Sequence, residues 1–84
     1  MEKTVTRGRP RTLMQAHEEL VRIRPGRDAS FAAWLQYYQH SVSLYELIAE
    51  VDPGHELEAL YWAQRERHRA EHIAARIRAE RPRK

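Results

Sequence analysis

Cysteine is absent from the 84 residues, which excludes a disulfide framework, a thiolate metal site and a cysteine nucleophile. Glycine and proline are few, three and four, and they matter most as the pairs Pro25-Gly26 and Pro53-Gly54, two natural breaks in an otherwise helical pattern. No 18 apolar residues follow one another, so no membrane span is expected. The N-terminal Met1 to Arg7 carries positive charge without an apolar run behind it, which gives secretion no support. A cytoplasmic protein with no membrane partner is the resulting expectation.

Large apolar residues are also scarce. The apolar residues are 42% of the chain, and 11 of them are alanine, which leaves 24 side chains able to fill a core. A chain this short buries only ~60–65% of its unfolded surface, so one small domain is the upper bound and a partner is one way to add stability. Fifteen of the 24 lie in residues 31–62, and after Trp62 only Ile73 and Ile77 remain.

The net charge of +3 is unevenly spread: residues 1–27 sum to +4, residues 28–56 to −5 with no Lys or Arg, and residues 57–84 to +4. The centre is acidic and aromatic, and the two ends are basic. Thirteen of the 15 basic residues are arginine.

The apolar periodicity predicts an all-α fold of three helices. Thr12 with Gln15 forms a capping box ahead of a first helix over about 12–23, whose Leu13, Ala16, Leu20 and Ile23 recur at helical spacing. Pro25-Gly26 ends it, and Asp28 or Ser30 caps a second helix over about 30–51. One stripe of that helix holds Phe31, Trp34, Leu35, Tyr38, Val42, Tyr45, Ile48 and Ala49; a second, on its flank, holds Tyr37, Leu44 and Val51. A helix this apolar on two sides is packed twice, against the hairpin partner and against either the first helix or another subunit. Asp52 caps and Pro53 opens a third helix over about 53–80. The second and third helices make a long antiparallel hairpin, with the shorter first helix packed across it. Folding back at residues 52–53 sets Tyr45 beside Leu60 and Trp34 beside Glu71. Residues 12–80 form the domain, and residues 1–11 and 81–84 are basic tails.

Four patterns bear on function. Arg7-Gly8-Arg9-Pro10 resembles the core of an AT-hook, in which arginines enter a narrow A·T minor groove, although Val5-Thr6 depart from the expected flank. Arg65, Arg69, His72 and Arg76 share a face of the third helix and could follow phosphates, or could simply be solvated beside Glu66, Glu71 and Glu80. His68-Arg69-Ala70-Glu71-His72 has the order of an inverted zinc-protease motif but lacks a third ligand and a cleft, so no metal and no cofactor are assigned. The neighbours Tyr61-Trp62 and Tyr37-Tyr38 cannot all face inward, so one ring of each pair is a candidate contact.

The segment from Leu13-Met14-Gln15-Ala16-His17 to Arg24-Pro25, with Trp34, Tyr37-Tyr38, Val51-Asp52, Gly54-His55 and Trp62-Ala63, resembles a family of small uncharacterised actinobacterial proteins found beside helix-turn-helix regulators. The resemblance covers about residues 12–70. It implies a regulatory or partner role and carries over no catalytic or binding residue.

With no phosphate loop, nucleophile constellation or framed carboxylate pair, catalysis is not expected. The expectation is a small, regulatory interaction protein, a homodimer or bound to a protein partner through Tyr37, Leu44, Val51, Tyr61 and Trp62. The alternative is an accessory nucleic-acid-binding protein using Arg7, Arg9, Arg65, Arg69 and Arg76.

Overall fold

The structure, a computed structural model, describes residues 9–80. These residues form three α-helices and no strand: α1 is Leu13–Ile23, α2 is Phe31–Val51 and α3 is Glu56–Glu80, with a 3₁₀ turn, Pro53–His55, before α3. α2 and α3 pack along their lengths as an antiparallel hairpin, and α1 lies against α2. Arg7 and residues 81–84 lie outside the described residues.

Local chemistry sets the ends of the helices. Thr12 Oγ1 accepts the Gln15 N–H at 3.1 Å, and Ser30 Oγ accepts the Ala33 N–H at 3.1 Å, so each cap satisfies one of the free donors of a first turn. The return half of the expected box is displaced by one residue: Gln15 Oε1 accepts from the backbone N–H of Arg11 at 2.9 Å. Arg11 is therefore tied to the start of α1 and does not belong to a free tail.

Asp52 departs further from expectation. Its Oδ2 accepts the Leu13 N–H of α1 at 2.9 Å, while the turn just after it has no side-chain cap. The reason is an accounting one, because Thr12 serves only Gln15 and leaves Leu13 among the free donors. His55 Nδ1 lies 3.0 Å from the same carboxylate oxygen. One acid thus joins the start of α1 to the hairpin turn.

The third helix opens at Pro53 as expected, with its first turn, Pro53–His55, wound as 3₁₀ and its α-helical part running from Glu56. Pro53 still takes the first position of the turn, where its missing N–H costs nothing, and His55 N–H closes it on Asp52 O at 2.8 Å. The register moves accordingly. Tyr45 faces Trp62, Tyr38 faces Arg69 and Phe31 faces Arg76, each two residues later in α3 than the even fold-back predicts.

The core is small and collected where the three helices meet. Leu13, Ala16 and Leu20 of α1 meet Leu44, Tyr45 and Ile48 of α2 and Ala59 and Ala63 of α3. α3 contributes the small Ala59 and Ala63 to this core, with Ala70 buried further along and Trp62 packed against the cluster from its edge. Ser41 of α2 is fully buried, and its hydroxyl donates to Tyr37 O of the preceding turn at 2.9 Å and so remains satisfied. Outside the core, Arg67 of α3 pairs with Glu46 of α2.

Two members of the flank stripe of α2, Tyr37 and Leu44, pack at the core where α1 meets α2, whereas Val51 is exposed. Leu44 is only 7% exposed within the core cluster, which removes it from the candidate contact surface. Among the described residues no helix is long and apolar enough to cross a membrane.

Candidate functional site

A half-open cleft of about 520 Å³ lies where α1 crosses the hairpin. Its apolar walls come from Leu20 and Val21 of α1, Tyr37, Tyr38 and Tyr45 of α2, and Trp62 of α3. Tyr45 is stacked on Trp62 with ring centroids 6.1 Å apart, and the His17 ring meets Trp62 edge to face at 5.2 Å. The Tyr45 hydroxyl lies 2.7 Å from His17 Nδ1, and the Tyr37 hydroxyl donates to Leu20 O at 3.0 Å. These two hydrogen bonds fix α1 to α2 and set the floor.

The charges are arranged unequally. Glu66 carries a side chain only 12% exposed, and its nearest cation is Arg69 Nε at 3.9 Å. Burial pushes its carboxyl above the usual range, against the opposing charges of Arg69, Arg65 and Arg24. Burial likewise raises the Tyr45 phenol to about 12, helped by the charge of Glu66 and by Tyr37. Tyr37 is raised as well, chiefly by burial, with Arg24 acting in the opposite direction.

Each cleft arginine rests on an aromatic ring. Arg24 lies 5.3 Å from the centroid of Trp34, Arg65 lies 5.3 Å from that of Trp62, and Arg69 lies 6.0 Å from that of Tyr38. Further along α3, Arg76 lies 5.2 Å from the ring of Phe31 and pairs with Glu80 at 3.2 Å. Among the described residues no carboxylate lies within ion-pair distance of Arg24 or Arg65. A guanidinium laid on a ring keeps its edge donors available, so the cleft can receive an anion.

No family model, curated protein or solved structure matches the chain.

The remaining residues singled out from the sequence lie in different places. Tyr61 is 58% exposed on the outward side of α3, and Val51 is exposed at the end of α2. Trp62, by contrast, is partly buried against the core, and Tyr37 spends its hydroxyl on Leu20. Arg65, Arg69 and Arg76 do share one side of α3, close to aromatic rings. Arg9 is exposed and, with Pro10, borders a separate groove of about 500 Å³ near Glu19, Arg22 and His40; its expected companion Arg7 is not described. His68 stands 3.4 Å from Gln64 Nε2, and among the described residues no three His, Asp or Glu side chains gather to hold a metal ion.

Sequence reasoning missed His17, Arg24, Tyr45 and Glu66 as members of one cleft. A signal was present for Glu66, which stands at helical spacing within the stripe Ala59, Ala63 and Ala70 that faces the core. A carboxylate on a core-facing stripe marks a position where burial and charge compete.

Proposed function

We propose that the chain is a small, non-catalytic interaction protein with a regulatory role, which binds a protein partner or a second copy of itself. The observation that supports this reading is the apolar outward side of the first turns of α3. Leu57 is 82% exposed, Leu60 43% and Tyr61 58%, while Ala59 and Ala63 fill the opposite side. The spacing i, i+3, i+4 places the three on one face, the arrangement of an amphipathic helix that meets a groove or another helix. In a chain with so few large apolar residues, leaving three in water is costly, and a partner removes the cost.

Light scattering and affinity capture with nuclease-treated extract test the reading. Self-association or a captured protein that is lost in Leu57→Ser/Tyr61→Ser supports it. A monomer that captures nothing, with the double variant indistinguishable from the parent, sinks it.

A second reading, nucleic-acid binding, draws on the arginine row Arg65, Arg69 and Arg76 with its neighbouring aromatic rings. It predicts a complex that weakens steeply with salt, because each neutralised phosphate releases counterion. Absence of a DNA or RNA mobility shift at low salt removes it.

A further inference from the structure

We propose that the cleft between α1 and the hairpin is a binding site for a small organic carboxylate with a planar, apolar body. The cleft is independent of the outward side of α3, since it lies on the side that α1 covers. Three of its features define the ligand.

The first is size and shape. About 520 Å³, half open, falls within the ~300–1,000 Å³ typical of small-ligand sites. The second is lining. Leu20, Val21, Tyr38 and Trp62 offer an apolar slot, and planar groups stack on both rings and guanidinium planes. Val21, which lines the cleft, is 75% exposed, and a ligand body would cover it.

The third is charge. Arg24, Arg65 and Arg69 face one acid, Glu66, and only Arg69 approaches it within 4.0 Å. The surplus is positive, so an anion is favoured. A carboxylate fits better than a phosphate because Glu66 lines the same space, so a monoanion meets less repulsion there than a dianion. The groups facing Glu66 are Arg65 and Arg69 on its own helix, Arg24 after α1, Tyr37 and Tyr45 on α2, and His17 on α1 at the far wall. Tyr45 stays a neutral phenol until far above neutrality, so it adds no charge to the site.

The test uses the full chain with 2-naphthoate, its neutral analogue 2-naphthamide and inorganic phosphate. Calorimetry gives affinity, and the indole N–H signals of Trp62 and Trp34 give location. The expected result is saturable one-to-one binding of naphthoate that shifts Trp62. Naphthamide and phosphate should each bind about tenfold or more weakly, the scale of one charge-assisted hydrogen bond. Arg65→Gln and Arg69→Gln should weaken naphthoate similarly. Val21→Trp, which plugs the mouth without touching a charge, should abolish binding while leaving the helical circular dichroism unchanged. Glu66→Gln, which removes the one acid lining the cleft, should tighten naphthoate binding. The proposal is overturned by an absence of saturable binding, by naphthamide or phosphate binding as well as naphthoate, by signals that move at Trp34 and not at Trp62, or by binding that survives Val21→Trp.

Discussion

Glu66 is held where an ionised carboxylate is least welcome. Its pKa is raised in the folded chain by burial, so the unfolded chain ionises first as pH rises, and the folded state loses stability above the ordinary glutamate range. Glu66→Gln is therefore expected to be more stable than the parent at pH 7, with the difference closing towards pH 4, where both are neutral. Chemical denaturation at the two pH values checks this; a variant less stable at pH 7 would show that the contact with Arg69 outweighs desolvation. Tyr45 has the same sign at the other end of the scale. Its phenol rises to about 12 when folded, so stability falls as pH passes from about 10, the unfolded value, towards 12. Tyr45→Phe should flatten that alkaline decline. It should also cost about 1 kcal/mol at neutral pH through loss of the bond to His17, measured by thermal unfolding.

At the level of elements, α1 is joined to the rest at both ends: Asp52 holds the Leu13 N–H, and Tyr37 donates to Leu20 O. Asp52→Ala removes the first of these and leaves a free donor at the start of α1, for an expected loss of about 1 kcal/mol. Hydrogen exchange is the sharper measurement, since protection should fall first in residues 13–16 and least in the α2–α3 contact. That contact depends on small residues. Ala63 is 2% exposed, and Ala63→Leu forces methylenes into a closed interface, an expected cost of about 1–3 kcal/mol in denaturant titration. The helices were legible because their stops are explicit: Thr12, Pro25-Gly26, Ser30 and Pro53 each have a local mechanism. The role of Asp52 was not, because a carboxylate just before a proline reads as a cap for the third helix, and only the fold brings Leu13 to it across 39 residues. The cleft was hidden for the same reason, its members coming from three helices. The surface position of Tyr61 and the burial of Trp62 separate two rings that adjacent positions alone could not rank.

The described residues measure 52 × 32 × 20 Å, an elongated shape, and their buried side chains are concentrated at one junction. A chain with that proportion of surface sits at the low end of domain stability, roughly 5 kcal/mol. If the outward side of α3 meets a second copy, association adds to this by mass action, so the midpoint of thermal unfolding should climb with protein concentration and Leu57→Ser should remove the climb. A concentration-independent midpoint would point to a different partner. The edge contact between His17 and Trp62 has an optical consequence. α1 shields that side of the indole, so lifting α1 from the hairpin would admit water and move Trp62 emission to longer wavelength. With Trp34 replaced by phenylalanine, the remaining indole would report the docking of a single helix, letting a label-free spectrum distinguish a loosened first helix from an unfolded chain.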